Sequence, residues 1–425
     1  MSIDIEDRTG HYGIGLYRKI SEYLSKRILM KVICHLLCRI EKGRLILALP
    51  DGTTQSFGKE AQSRPAQILV NDCSLFTRVA FGGEIALGEA YMEGLWDSDN
   101  LTTLLKLFIE NRHEFKEGNI ALSAISRAHN FRLHLSRANT IKGSKENIAE
   151  HYDLSYQFYN TFLDDTMTYS CGIFRSTDDT LGVAQLNKLN LIIEKAQINK
   201  DDHVLEIGCG WGGFALQAVR EKGCRVTAIT VSKAQYDYMK EKVVKEGLDD
   251  KIEVLCKDYR IVSGLYDKII SIEMVEAVGH ENLGEFFACC DKLLKPDGLV
   301  VLQVITMPDK RYDRHRTQPN WIQKHIFPGG LLPSLTTMCN AMTKYSRFQV
   351  EEIENIGIHY SETLRQWRLR FTAAFDELTR MGFDSVLKRK WIYYFSLCEA
   401  QFSLRVLNDL QIVLTREGNR KLQRT

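Results

Sequence analysis

The chain has 425 residues, 44% of them hydrophobic, which is too long for one ordinary domain and enough for two with real cores. Its 56 Lys and Arg against 54 Asp and Glu leave a net charge of +2, so no general nucleic-acid-binding field exists and partners must be read from local sites. The 11 cysteines, odd in number and without CxxC pairs or a zinc spacing, exclude a disulfide scaffold and suit free thiols in a reducing compartment.

In chain order, the opening MSIDIEDRTGHYGIG lacks a basic stretch followed by an apolar one, so a secretory leader is not expected and an intracellular protein is. No apolar run approaches the roughly 18 residues of a spanning helix, which leaves any membrane contact peripheral. Residues 16–40 place Leu16, Ile20, Leu24, Ile28, Val32, Leu36 and Ile40 at helical spacing among Lys19, Lys26, Arg27, Lys31 and Arg39. This basic amphipathic segment reads first as a packed helix with a solvated basic side, and second as a membrane-surface helix. GRLILAL, PDGTTQSFG and AQILVND then read as strands separated by turn residues, and FGGEIALGEAYMEGLWDSDNLTTLLKLFIENR as helical. Residues 1–115 are thus expected to form a smaller α+β domain, 116–145 a basic, polar linker, and 146–425 a second, larger domain.

In the larger domain strands and helices alternate: HVLEIGC (203–209), a glycine-rich loop and helix to about 222, CRVTAIT (224–230), a helix over 232–247, IEVLCKD (252–258), YDKIISIEM (266–274), a helix over 281–294, and GLVVLQVIT (298–306). Such alternation predicts a doubly wound, largely parallel sheet with ligands at the carboxyl ends of its strands. In VLEIGCGWGG an apolar strand ends in Glu206 and Ile207, and Gly208, Gly210, Gly212 and Gly213 let the backbone turn tightly and approach a ligand. A dinucleotide site would have an acidic residue at the end of the next strand, where this chain has Thr230. Glu206 suits a ligand bearing a cation rather than a diphosphate. S-adenosylmethionine, with its ammonium and sulfonium, fits both features and points to a methyltransferase. Asp258 could then serve the adenine amino group and Tyr259 the ring face. After YDKIISIEM the chain continues VEAVGHE, in place of the Asn- or Asp-Pro-Pro-aromatic motif of nucleic-acid amino methyltransferases. The histidines show no HExxH or paired ligand spacing, so no metal is expected.

Together with HYDLSYQFYNTFLDDTMTYSCGIF (151–174), ITVSKAQ (229–235), DYR (258–260), EMVEAVGHE (273–281), IFPGGLLPS (326–334), NIGIHYSETLRQW (355–367) and GEAYMEGLWD (88–97), these features make the chain resemble the cyclopropane-fatty-acyl-phospholipid synthase family. The likeness covers essentially residues 85–420 and is closest to the two-domain, plant-like branch. It implies a Rossmann-like class I methyltransferase sheet with a helical lid and inserts after residue 306, an α/β catalytic domain preceded by the smaller α+β domain. It also implies methylene transfer from S-adenosylmethionine to the cis double bond of an acyl chain in a membrane phospholipid. The implied cofactor contacts are Tyr169, Ser170, Glu206, Gly208, Gly210, Gly212, Thr230, Ser232, Gln235, Asp258, Tyr259, Arg260 and Ile272. Members of the family hold a bicarbonate ion, whose matching residues are Cys171, Glu276, Gln303, Ile305 and Tyr360; many members have histidine where this chain has Gln303. Cys398 matches a cysteine marked as functional, although its setting in YYFSLCEAQF reads more simply as core. The implied partners are an unsaturated phospholipid at a membrane surface and a second copy of the chain, with no nucleic acid, and the implied location is cytoplasmic, at the inner face of a membrane.

An alkene is a poor nucleophile, so alignment with the sulfonium methyl is the first task, and orientation can supply up to ~7–11 kcal/mol. The carbocation formed by that attack must be kept from water. Tyr152, Tyr156, Phe158, Tyr159, Phe162, Tyr169 and Phe174 either stabilise it or form the apolar lid on which the acyl tail packs. Ring closure then requires a base. In the family reading this is bicarbonate, oriented by Glu276, Tyr360, the Cys171 region and the Ile305 N–H. Cys171 as a covalent nucleophile is not needed by alkene chemistry, and a buried structural thiol is its plain alternative. His151 could anchor the lid, and His280 could orient a group or simply be satisfied locally. Rival readings are methyl transfer without ring closure, methylation of a small-molecule amine, and a non-catalytic lipid-binding protein. Gln303 lies within the apolar VVLQVIT, where an unpartnered amide would cost ~1–3 kcal/mol, and is expected to donate to the anion.

Overall fold

The computed structural model describes residues 27–59, 64–115 and 155–422. The expected linker over 116–145, His151, Tyr152, and Leu16, Lys19, Ile20, Leu24 and Lys26 of the basic segment lie outside these residues. The described residues before 116, with Ser385–Tyr393, form one compact unit, and the described residues over 155–384 and 394–422 form another.

In the first unit a helix over 27–37 precedes strands β1 (Arg44–Ala48), β2 (Thr54–Gly58) and β3 (Ala66–Val70), the helix Ser74–Met92, the short β4 (Trp96–Asp97) and the helix Leu101–Glu110. The sheet order is β2-β1-β3-β4. Leu45 and Leu47 of β1 and Ile68 and Val70 of β3 point into the core at period two, as half-buried strands require. Among the described residues of the basic segment, Leu37 and Ile40 are buried, whereas Ile28 and Val32 are exposed. The helix Ser74–Met92 bends at Gly83, whose φ of 59° breaks the helical path. Arg389 closes this unit, with its guanidinium 4.1 Å above the Tyr91 ring and donating to the carbonyl of Trp96 (2.8 Å) and to Asp97 Oδ1 (2.8 Å).

The second unit is built on seven strands, β5 (His203–Ile207), β6 (Arg225–Thr230), β7 (Ile252–Cys256), β8 (Tyr266–Ile272), β9 (Leu294–Thr306), β10 (Phe348–Asn355) and β11 (Asn408–Arg416), in the order β10-β11-β9-β8-β5-β6-β7. The strands from β5 to β9 pair in parallel, and the helices Leu181–Lys195, Gly213–Lys222, Lys233–Lys245 and Leu283–Leu293 flank them. Both sheet faces are covered: Leu205, Ile269 and Val300 enter one core, and their neighbours Val204, Ile270 and Val301 enter the other. The parallel strands form the doubly wound sheet expected from the alternation, in the Rossmann-like arrangement that the resemblance implies. Beyond it, β11 runs antiparallel to β9, and β10 antiparallel to β11. Helical inserts come after β9 at Asp309–Thr317, Trp321–His325 and Leu335–Tyr345, and further helices span Gly357–Ala373 and Phe375–Arg380; of the helix Ser385–Ser403, the part from Tyr394 onward belongs to this unit.

Buried Arg416 fastens the end of β11 to the β9 side of the sheet. It donates to Asp291 Oδ1 (2.8 Å), to the Lys295 carbonyl (2.8 Å) and to the Leu294 carbonyl (3.1 Å). Replacing it by leucine strands these acceptors, so Arg416→Leu is expected to lower unfolding free energy by roughly 2–4 kcal/mol, read as a lower urea midpoint.

Candidate active site

Immediately after β5 the backbone turns through Gly208, Gly210 and Gly212, all at positive φ, into the helix Gly213–Lys222. A Cβ on Gly212 would fall on the sulfur of Met239, so that position is closed to side chains. Gly210, at φ 54°, has the opposite surroundings: a Cβ there would meet nothing within 4 Å, and its backbone is open to a ligand. Just ahead of the turn, Glu206 is buried, its Oε2 has no hydrogen-bond partner among the described residues, and burial holds its carboxyl up to about 8. An open glycine backbone beside an unmet buried carboxylate fits a cationic ligand such as S-adenosylmethionine.

The other residues expected at the cofactor fall at neighbouring strand ends. Thr230 closes β6 and donates to Gln235 Oε1 (2.7 Å), while Ser232 caps the helix Lys233–Lys245 by accepting from the Gln235 N–H. Asp258 follows β7 and is engaged by its neighbour: Arg260 Nε and Nη2 donate to its two oxygens at 2.8 and 2.7 Å, and the guanidinium lies 5.4 Å from the Tyr259 ring centre. Ile272 ends β8 and is partly buried. Ser170 Oγ accepts from Lys188 Nζ (2.8 Å), and the Tyr169 hydroxyl donates to the Tyr394 hydroxyl (3.2 Å), with the Tyr169 ring against Trp367.

A second group of polar residues gathers where β8, β9 and β11 end or begin. Glu273 follows β8 in a left-handed conformation, φ 50°, uncommon for any residue but glycine. Its N–H donates to the Gln303 carbonyl at 2.7 Å. Its Oε1 accepts from the Cys171 backbone N–H (2.8 Å) and from Gln303 Nε2 (2.8 Å), and its Oε2 from the Tyr360 hydroxyl (2.6 Å). Gln303 is fully buried and fully used, since Nε2 also donates to Asp409 Oδ2 (3.1 Å) and Oε1 accepts from Gln411 Nε2 (3.2 Å). Glu276 Oε1 accepts from the Ile305 N–H (2.5 Å), and its Oε2 has no hydrogen-bond partner among the described residues. Burial, then the charge of Glu273, raises the Glu276 carboxyl to about 8. Burial and the same charge push the Asp409 carboxyl well above its ordinary value.

This geometry corrects the expectation of a bicarbonate ion. The groups expected to hold it at Cys171, Gln303 and Tyr360 hold the carboxylate of Glu273, and the Ile305 N–H holds Glu276. Among the described residues, the donors expected for the ion are thus engaged by the chain's own carboxylates. Cys171 enters through its backbone alone: its thiol is fully buried, donates to the Gly172 carbonyl (3.3 Å), and is held well above its ordinary pKa by burial and nearby carboxylates, so it is no nucleophile. Cys398 is buried in the helix Ser385–Ser403, burial alone raises its thiol, and it reads as packing. His280 is satisfied locally by the Tyr312 hydroxyl at 2.8 Å. Of the aromatic residues, Phe158, Tyr159 and Phe162 are fully buried, so they act as packing and do not face a substrate; Tyr169, Tyr156 and Phe174 keep some exposure.

Sequence reasoning missed Glu273, Asp409 and Lys188. The signal for Lys188 was present: it occupies the apolar stripe of its helix with Leu181, Ala184 and Ile192, and burial lowers its ammonium to about 8. Asp409 and Gln411 come from β11, which the sequence reading did not identify as a strand.

A family model described as mycolic acid cyclopropane synthetase matches residues 139–412. The chain is 35% identical over 408 residues to the tuberculostearic acid methyltransferase UfaA1 of Mycobacterium tuberculosis, across 94% of this chain and 92% of that protein. It is 36% identical over 360 residues to the cyclopropane-fatty-acyl-phospholipid synthase of Escherichia coli, across 83% of this chain and 89% of that protein. The solved structure of the mycolic acid cyclopropane synthase CmaA1 complexed with SAH and CTAB is similar at a TM-score of 0.60 and 28% identity, over 64% of this chain and 98% of that one.

The carboxyl of Glu206 keeps its proton to about pH 8 when folded, but loses it near 4.5 when unfolded. The unfolded state therefore releases the proton first, and this group makes folding less favourable as pH rises from about 4.5 to about 8. Without cofactor, Glu206→Gln should match the parent protein in urea unfolding near pH 5 and exceed it at pH 8, by on the order of 1–3 kcal/mol. An advantage that does not change with pH would show that the carboxylate charge is not the cause.

Proposed function

The chain belongs to the mycolic acid cyclopropane synthetase family, and from that premise we propose that it is an S-adenosylmethionine-dependent cyclopropane-fatty-acyl-phospholipid synthase. It would add one carbon across the cis double bond of an unsaturated phospholipid acyl chain and close a cyclopropane ring. One observation carries this reading: the glycine turn meets the carboxylate cluster. A Cβ on Gly208 would lie 2.8 Å from Met274, the residue immediately after Glu273 and two before Glu276, so the glycine turn packs directly against the segment that carries both glutamates.

S-adenosylmethionine supplies the electrophilic methyl group. The open backbone at Gly210 and the carboxylate of Glu206 hold and orient its cationic portion, which suits the chemistry of both. The double bond attacks the methyl carbon, and the enclosed site keeps water from the acyl carbocation that forms. A carboxylate at the β8 end then takes a proton from the added methyl group, and the C–H electrons close the ring. The lipid is met at a membrane surface on the cytoplasmic side; no helix among the described residues is long and apolar enough to cross a membrane. In this reading the first unit engages the bilayer or a second copy of the chain, and Ile28 and Val32, exposed beside Lys31, support a lipid-facing role for its first helix.

The match to a tuberculostearic acid methyltransferase across nearly the whole chain supports a second reading, methyl transfer without ring closure. The two differ in where the proton leaves. Purified protein given S-adenosylmethionine with a trideuterated methyl group and vesicles of cis-unsaturated phospholipid should yield lipids heavier by one carbon unit that retain two deuteriums. Retention of three deuteriums with the double-bond content unchanged would establish methyl transfer without ring closure, and lipids of unchanged mass would sink both. Gly210→Val, which sets a β-branched side chain at φ 54° in the open space of the loop, should abolish cofactor binding in calorimetry and turnover with it.

A further inference from the structure

Glu273 takes no part in the bicarbonate scheme implied by the resemblance, yet it stands at the centre of the donors assigned to that ion. Its two oxygens receive the Cys171 N–H, Gln303 Nε2 and the Tyr360 hydroxyl, a set that would satisfy a small trigonal oxyanion. The backbone bends to put it there, because a non-glycine residue at φ 50° is strained by about 1–2 kcal/mol. A residue kept in that conformation needs a return from its side chain, and the three donors provide one. The side chain is not sealed in the core: Glu273 keeps partial exposure, and Gly208 of the cofactor turn packs against the next residue, Met274.

We propose that Glu273 is the built-in proton acceptor of ring closure, its carboxylate replacing a free bicarbonate ion. The proposal rests on the cyclopropane-forming reading above. In the step, the carboxylate takes a proton from the newly added methyl group, the electrons of that C–H bond form the third side of the ring at the carbocation, and neutral Glu273 later returns the proton to solvent. No oxidant or further reactant is involved. Tyr360 and Gln303 are positioning residues, and the groups around Glu273 set its charge: Asp409 shares the Gln303 amide with it, Glu276 adds a second carboxyl, and Lys188 supplies a buried positive charge. Burial raises the Glu273 carboxyl from its ordinary value, and its three donors and Lys188 pull it back, which suits a group that must both accept and release a proton.

The proposal separates from the reaction it serves by an experiment that reads anion binding as well as turnover. Carbon-13 bicarbonate, monitored by NMR line broadening, should not bind the parent protein at millimolar concentration, and should bind Glu273→Gly, where the seat is emptied and a glycine meets the φ requirement. Turnover of the parent protein in carbonate-depleted buffer should be unchanged by added bicarbonate. Glu273→Gly should lose about a hundredfold or more in kcat with little change in cofactor affinity. Bicarbonate or formate should restore at least about tenfold of that loss, since a mobile ion then does the work of a fixed general base. Glu273→Gln, which fills the seat with a neutral amide, should be equally impaired and not rescued. Bicarbonate binding or bicarbonate dependence in the parent protein would overturn the proposal, as would full activity of Glu273→Gln. A parent protein that turns over no lipid but still excludes bicarbonate would fault the reaction assigned to it and leave the anion seat filled as described.

Discussion

A buried carboxylate must either meet donors or keep its proton, and this constraint governs the carboxyl edge of the large sheet. Glu273, Glu276 and Asp409 stand there, with the ammonium of Lys188 close enough to act on Glu273 and Asp409. An ionised carboxylate removed from water without partners costs several kcal/mol, so the fold has to bring donors from separate elements. The Cys171 N–H comes from the chain before the first parallel strand, the Tyr360 hydroxyl from the helix Gly357–Ala373, and the Gln303 amide from β9. β11 closes the arrangement from the far side. Its antiparallel register sets Gln411 opposite Gln303 and Asp409 opposite Ile305, so one strand supplies both the acceptor for the second amide proton and the donor to the amide oxygen. The antiparallel pair at this edge of the sheet is thus part of the site's electrostatics as well as of its architecture.

The cofactor side was legible in the sequence because its chemistry is local. Glu206, Gly208, Gly210 and Gly212 lie within seven consecutive residues, and each comes from a strand end, a tight turn or a helix start that short-range rules describe. The carboxylate cluster was legible only as an anomaly. Gln303 could be recognised as an amide that needed partners, but Glu273 and Asp409 stand 30 and 106 residues away and reach it through strand register. β10 and β11 escaped notice for a related reason. β10 is acidic and almost wholly exposed, so its hydrophobic pattern is weak, while β11 is buried along nearly its whole length and carries Asp409, Gln411 and Arg416 in its interior. Polar residues in a strand lower its apparent apolarity unless their partners are known.

The aromatic segment shows the same limit in reverse. Tyr156, Phe158, Tyr159, Phe162 and Tyr169 read from sequence as part of one ring-rich stretch that either stabilises a carbocation or forms an apolar lid. Folding divides them: Phe158, Tyr159 and Phe162 are completely enclosed and pack among Trp367, Phe371 and Phe395, whereas Tyr156 stacks on Tyr238 with centroids 4.6 Å apart. Ring content therefore overstated the number of side chains that could face a carbocation, because composition does not say which side of a short helix is turned inward.

The amide at 303 and the carboxylate at 273 are best understood as one device. A neutral histidine at 303 would have a single N–H and could serve either Glu273 or Asp409, while its charged form would point two N–H groups from different edges of the ring. An amide carries both protons on one nitrogen, which is the geometry needed to bridge two neighbouring carboxyl groups, and its oxygen remains free to accept from Gln411. It also does not titrate, so the donor to Glu273 persists at any pH at which the fold does, whereas a histidine would change its charge near neutrality. Where the anion is a mobile ion, a titrating partner can help to capture it by charge. Where the anion is a tethered side chain, capture is already assured by the covalent bond, and what remains to be supplied is a fixed direction, which the glutamine provides.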